Sequence, residues 1–330
     1  MTKILVTGGA GYIGSFITRK LRDEGFEVFV LDNFSQGHRK AISDFKVFEI
    51  DLVSQKEKLS QLFQTEKFDG VIHMASFIQM GESFRDPYKY FNNNLIGAMN
   101  LFETMAKANC RKIVFSSSAG VYGTPKTLPI KEEDPKNPEN SYGETKLMIE
   151  RMLYWFDQTH FLKSIAIRYF NAAGADLDGS IGEDHPDESH LIPIAIKAQL
   201  TGGELTINGT DFDTPDGTCV RDYIHVLDLA DIHVLAIKKL LEGVDSNQYN
   251  AGTGEGYSNK QIAEGIKKVG GDFKINFGSR RPGDAAALYA NCEKIKKDFN
   301  WQPKYGLKEI IESAYSWHKN NPNGYEDRYD

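Results

Sequence analysis

TGGAGYIG, Thr7 to Gly14, places Gly8, Gly11 and Gly14 between the apolar run KILVT and a helix-period segment that begins at Tyr12. Glycine has no Cβ, so backbone amides and a helix N-terminus can approach a pyrophosphate at such a junction. The same glycines would also suit a tight turn packed closely against a helix, and the surrounding sequence decides between the two. Asp32 ends the next apolar run, about twenty residues on, where a carboxylate accepts hydrogen bonds from both hydroxyls of an adenosine ribose and repels a 2′-phosphate. NAD is thereby favoured over NADP, with Arg39 the nearby residue able to accommodate that phosphate.

Outward from this stretch, the runs KILVT, EVFVLD, FKVFEI, GVIHMA, KIVFSS and SIAIRYF alternate with longer helix-period patterns such as Tyr12 to Glu24 and Pro87 to Asn109. That alternation predicts βαβ units, an α/β fold with a Rossmann-type doubly wound parallel sheet. The runs are continuously apolar, as strands covered by helices on both faces must be. Asp51 and Leu52 follow the third run, and Met74, Ala75 and Ser76 follow the fourth, at the strand ends where ligands of open sheets bind. Asp51 also reads as an ordinary turn residue, and His73 as a structural histidine.

From about Asn171 the texture changes, with NAAGADLDGSIGEDHPDESH rich in Gly, Asp and Pro and lacking either period. The expected division is a dinucleotide-binding domain over 1–170 and a smaller C-terminal α/β substrate domain over 171–330, with about 222–250 returning to the first. Ser258 and Gln261 form a capping-box pattern, and Leu307, Ile310, Ile311, Ala314 and Trp317 make one apolar helix stripe.

With 330 residues, 40% of them hydrophobic, and a formal charge of -7, the chain can bury a sizeable core. Its cations are scattered, which gives no footprint for nucleic acid or an anionic membrane. Cys110, Cys219 and Cys292 lie far apart, with no paired spacing, pointing to neither a disulfide framework nor a zinc site and to a reducing cytoplasm. The opening apolar run is too short for a signal peptide, and no later run reaches the roughly 20 apolar residues of a membrane span. Asp176, Asp178, Glu183, Asp184 and Asp187, with His185 and His190, read as a solvated loop with no metal, since calcium-loop spacing is missing.

SYGETK, Ser141 to Lys146, sets Tyr142 and Lys146 on one helix face. A tyrosine of ordinary pKa, about 10, is a poor base, and a nearby cation favours its phenolate. Such a pair also occurs as a surface helix contact. The strand end FSSSAGVYG raises the catalytic reading, because Ser118 could hydrogen-bond the hydroxyl that Tyr142 deprotonates.

VTGGAGYIGS, LDNFS, SSSAGVYG, SYGETKLMIE, RYFNAAGA, GEDHPDESHLIP, DGTCVRDYIHVLDLA and RRPGD run almost end to end along the chain. In that order and spacing they resemble the UDP-glucose 4-epimerase branch of the extended short-chain dehydrogenase/reductase family. The resemblance implies interconversion of UDP-glucose and UDP-galactose, with Tyr142, Lys146 and Ser118 catalytic. It implies NAD contacts from Gly8, Gly11, Tyr12, Ile13, Gly14, Asp32, Asn33, Phe34, Ser35, Gly37, Asp51, Leu52, Met74, Ala75, Ser76, Asn93, Ser116, Tyr142, Lys146 and Tyr169. Ser118, Tyr142, Asn171, His190, Leu191, Asn208, Arg221, Arg281 and Asp284 are the implied nucleotide-sugar contacts. It also implies a homodimer, through the helices at about Pro87 to Asn109 and Tyr142 to Gln158.

The chain departs from that pattern at several points. SFIQM replaces a segment in which some relatives carry a phosphate-binding lysine, His190 stands for an asparagine, Asn208 for an aromatic, and Leu288 occupies the position that governs room for an N-acetyl group. A 4,6-dehydratase would need an Asp-Glu pair where this chain has Ala119 and Gly120. A non-catalytic NAD sensor would have no use for Ser118, Tyr142 and Lys146 together.

Overall fold

The six apolar runs become strands β1 (Lys3–Thr7), β2 (Glu27–Asp32), β3 (Lys46–Glu49), β4 (Gly70–His73), β5 (Lys112–Ser116) and β6 (Lys163–Tyr169) in the computed structural model, which describes residues 1–281 and 283–327. With strand Asn247–Ala251 they form one sheet, ordered Asn247–Ala251, β6, β5, β4, β1, β2, β3. β1 to β6 pair in parallel. The order reverses at β1, which has β2 on one side and β4 on the other, so the loops after β1 and β4 diverge and leave a crevice at the carboxyl edge.

Leu5, Phe29, Val71, Ile113 and Phe115 of this sheet pack with Leu59, Phe63, Leu101, Phe102, Met105 and Leu153 of the helices. Full burial of one such side chain contributes about 1.5–3 kcal/mol. Helix α1 (Tyr12–Asp23) lies where its periodicity predicts, and the helix Ser141–His160 covers the segment expected at about Tyr142 to Gln158. The predicted helix over Pro87 to Asn109 is interrupted: Pro87–Tyr90 and Gly97–Lys107 are α-helical, while Phe91–Ile96 is a π turn. Its Asn94 is turned inward, where it bonds the Phe77 amide and carbonyl and the Thr145 hydroxyl. Single π turns of this kind recur at functional sites.

Two units divide the chain. The first holds Met1–Gly123, Pro135–Arg168 and Ala230–Tyr249; the second holds Thr124–Asp134, Tyr169–Leu229 and the chain from Asn250 onward. Thr124–Asp134 was expected in the first. It groups with the second because Ile130 donates its N–H to the Tyr289 carbonyl and accepts at its own carbonyl from the Asn291 amide and the Asn250 side chain.

In the second unit, the helices Leu191–Thr201, Asn259–Gly270 and Leu307–Asn320 pack through Ile192, Ile196, Ile262, Ile266, Ile310 and Ile311. The Ser258 capping box is formed in both directions. Asn171–Ala173 pairs with Tyr223–His225, Glu204–Asn208 with Lys274–Gly278, and Val220–Arg221 with both Tyr257–Ser258 and Ala287–Leu288. Trp317 is buried and donates to the Glu183 carbonyl. Among the described residues, no helix is long and apolar enough to cross a membrane.

Candidate active site

Gly8 has φ +71°, and a Cβ there would fall 2.5 Å from the Ala75 nitrogen; one on Gly14 would fall 2.1 Å from the Gly8 carbonyl oxygen. Both glycines are therefore demanded by backbone crowding. Gly11 is different. Its Cβ would meet nothing nearer than the Gly8 oxygen at 3.4 Å, and it is the N-cap of α1, with no side-chain cap and no acidic residue in the first turn. The helix thus presents its first N–H groups and its positive dipole end without an internal anion.

Asp32, buried at the end of β2, accepts from the amides of Ala10 at 3.0 Å and Phe34 at 2.8 Å. Burial pushes its pKa up, against the pull of those backbone donors. Gly37 packs on Ala10, and Asn33 donates to Asp51 at 2.7 Å. Asp51 also accepts from Val53 and Ser54, so its carboxylate braces the turn that carries Leu52. Phe34 has φ +57° and lies under the Arg39 guanidinium, 3.8 Å from its ring centroid; Arg39 also pairs with Glu49. Tyr12 packs edge-on against Phe16, Ile13 follows it in the first turn of α1, and Ser35 donates its amide to Asn33.

At the ends of β4 and β5, the hydroxyls of Ser76 and Ser116 are buried without a hydrogen-bond partner. Unsatisfied buried hydroxyls are costly and imply an absent partner. The crowded glycine turn, the bare helix N-terminus, the ribose-height carboxylate and these two hydroxyls fit a dinucleotide. Met74 and Ala75 line the Gly8 turn, and Asn93 donates to Asn94 in the π turn.

Lys146 is fully buried, and its Nζ donates to the Ser116 carbonyl at 2.8 Å. It lies 5.7 Å from the Tyr142 ring centroid and 5.0 Å from that of Phe115. Burial pulls its pKa down to about 7. Tyr142 is buried beside Gly120, where a Cβ would contact the Tyr142 ring edge and the Ser118 hydroxyl. Ser118 caps a short turn by accepting from the Gly120 amide at 3.0 Å. The helix N-terminus that carries Tyr142 is capped by Asn140, which accepts from the Gly143 amide. His73 is buried, bonds the Thr7 hydroxyl at 2.7 Å and is held neutral by burial, near a pKa of about 3, with Lys146 adding to the effect.

A bracing network escaped the sequence. Arg168 and Glu150 form a buried bidentate pair, with Arg168 also donating to the Tyr122 hydroxyl and Ser117 donating to Glu150. Burial opposes the Arg168 charge, and the Glu150 bonds outweigh it. Only the Arg inside the mostly apolar run SIAIRYF and the Glu beside the apolar residues of LMIE hinted at it.

In the second unit, Arg221 donates to the carbonyls of Val220 and Ala285, and Asp284 lies 3.8 Å from it and 3.1 Å from Arg281. Two guanidiniums on one carboxylate make a site that retains net positive charge. Leu288 pairs with Arg221 in register. Asn171 donates to the Asp222 carbonyl, and Asn208 lies against Gly278. Tyr169 ends β6. The buried Asp222, also unforeseen, accepts from Thr253, Gly254 and Ala290 and ties three loops together.

The loop read as solvated is not so throughout. Glu183 is only 4% exposed, and His185 is tucked beside it at 3.4 Å; burial opposes both charges, yet His190 and His185 hold the Glu183 carboxyl down, while Glu183 and Glu188 lift His185 to about 9. His190 is the N-cap of Leu191–Thr201, with Leu191 its first residue.

The NAD dependent epimerase/dehydratase family model matches residues 4–252. A UDP-glucose 4-epimerase of Lactobacillus helveticus is 46% identical over 99% of this chain and 100% of its own length. That of Lacticaseibacillus casei is 47% identical over 98% and 99%. Among solved structures, a UDP-glucose 4-epimerase from Brucella ovis in complex with NAD superposes with a TM-score of 0.93, at 40% identity over 96% of this chain and 98% of that one.

Proposed function

The chain belongs to the NAD dependent epimerase/dehydratase family, and on that premise we propose which of its residues perform the chemistry. It is an isomerase that interconverts UDP-glucose and UDP-galactose by NAD-dependent oxidation at C4, rotation of the 4-keto sugar and re-reduction on the opposite face. NAD, when bound, supplies the acceptor and the donor of the C4 hydride. Asp32 would hold its adenosine ribose, the amides of the Gly8 to Gly14 turn its pyrophosphate, and Ser76 and Ser116 its remaining polar groups.

Tyr142 takes the proton from the C4 hydroxyl during oxidation and returns it during reduction, while Ser118 orients that hydroxyl. The observation that carries this reading is the Lys146 amine, buried against the Ser116 carbonyl and one helical turn from Tyr142. Burial alone pulls the Lys146 ammonium toward neutrality, and in its charged form that amine favours the phenolate of the neighbouring Tyr142. Arg221 and Arg281 clamp the diphosphate, with Asn171, His190, Leu191 and Asn208 around the rest of the nucleotide. Binding strength resides in the nucleotide, which leaves the sugar free to turn.

A homodimer is supported by the large apolar side chains left exposed on the two helical segments: Tyr88, Ile96 and Met99 on one, Tyr154 and Trp155 on the other. Three free, buried cysteines suit the cytoplasm. The test is conversion of UDP-galactose to UDP-glucose in deuterated water without added NAD. Retention of the original hydrogen at C4 is expected, and deuterium accumulating there would overturn the mechanism. Tyr142→Phe should retain UDP binding and lose about 10²–10⁴-fold in kcat.

A further inference from the structure

Four side chains ahead of the helix Leu191–Thr201 converge on one point. The ligand atoms of Glu183, His185, Glu188 and His190 all lie within 4.8 Å of one another. The Nδ1 of His185 is 3.4 Å from Glu183 and 3.2 Å from Glu188, and the Nδ1 of His190 is 2.9 Å from each. Zinc bonds to nitrogen and oxygen of about 2.0–2.2 Å set tetrahedral ligands roughly 3.3–3.5 Å apart. Two of the four observed separations are close to that spacing, and two are a few tenths of an ångström short, a difference that small side-chain rotations remove.

Ion pairing alone accounts for less of this arrangement. An imidazole carries at most one hydrogen on Nδ1, yet each Nδ1 is faced by the carboxylates of two residues, and both rings address the same two. Two imidazole nitrogens and two carboxylates form a donor set suited to a borderline-soft divalent cation rather than to calcium. Glu183 is buried while 45% of the His190 side chain is exposed, which leaves an entry path.

The backbone behind the cluster is braced. Trp317 donates to the Glu183 carbonyl at 3.2 Å, the Gly182 amide donates to the Tyr325 hydroxyl at 3.1 Å, and the Tyr325 amide donates to Asp184 at 3.0 Å. We propose that Glu183, His185, Glu188 and His190 bind one zinc ion, which fastens residues 182–190 and the start of the helix Leu191–Thr201. The ion displaces the protons that the imidazoles carry between the carboxylates.

The experiment uses untagged, full-length protein with its dinucleotide, dialysed against micromolar zinc chloride and then against metal-free buffer. Mass spectrometric metal analysis should find one zinc per chain, and cobalt loading should give the strong visible absorption of a tetrahedral site. His185→Ala and Glu188→Gln, checked for folding by circular dichroism, should each retain less than a tenth of that zinc. Zinc should raise the wild-type Tm by roughly 3 °C or more and leave both variants unmoved. Less than a tenth of a zinc per wild-type chain, or full retention by the two folded variants, would overturn the site. If neither variant folds, the wild-type metal content and cobalt spectrum decide the matter alone.

Discussion

Lys146 stands with its Nζ 5.7 Å from the Tyr142 ring centroid, tethered by the Ser116 carbonyl at 2.8 Å. The tether matters because a free lysine chain would turn its amine toward water, whereas a carbonyl acceptor inside the fold holds it beneath the ring.

Lys146→Met should therefore separate stability from activity. The lysine pKa is depressed to about 7 in the folded protein from an ordinary 10.5, so between those values the unfolded chain binds more protons than the folded one. Burial of the lysine costs its full amount below about pH 7 and progressively less as the pH rises toward 10.5. Urea titrations should show the variant more stable by about 1–3 kcal/mol at pH 6, with the advantage shrinking at pH 9, while kcat falls about 10²–10⁴-fold. Equal urea midpoints at both pH values would contradict this.

Gly14→Ala tests the glycine turn. Its methyl would overlap the Gly8 carbonyl oxygen, and moving backbone to relieve that overlap costs about 1–3 kcal/mol. The dinucleotide recovered by acid extraction from purified protein should fall severalfold. Undiminished cofactor content would mean that the turn does not set the binding geometry.

For the buried Arg168–Glu150 pair, removing one partner strands the other charge at about 3–5 kcal/mol. Glu150→Leu and Arg168→Met should each destabilise strongly, and the double variant by much less than their sum. Additive losses in a thermal double-mutant cycle would show the pair uncoupled.

Arg281→Ala should raise KM for UDP-galactose about tenfold or more with kcat nearly unchanged, because its guanidinium, 64% exposed and paired with Asp284 at the surface, contributes little to folding. A change in kcat alone would remove Arg281 from the proposed diphosphate clamp.

Six of the seven strands of the sheet were legible because each carries a short apolar run, matching β1 to β6, whereas the seventh, Asn247–Ala251, is too polar to stand out as one. Gly8, Gly14 and Asp32 were legible for a similar reason: their roles depend on neighbours close in sequence or at a strand end. The π turn at Phe91–Ile96 was not, since it exists to point Asn94 at Phe77 and Thr145, partners far along the chain. Nor was the burial of Glu183, which depends on Trp317 and two histidines closing over it.

Local pattern by itself determined the strand and helix order, the glycine turn and the Tyr142 and Lys146 spacing, because apolar periodicity and missing side chains act within a few residues. The tertiary structure decided the ionic state of Lys146, the bracing of Arg168 by Glu150 and the convergence of Glu183, His185, Glu188 and His190. Each of these depends on desolvation and on charges brought together by folding, and neither quantity exists until the chain has closed around the group.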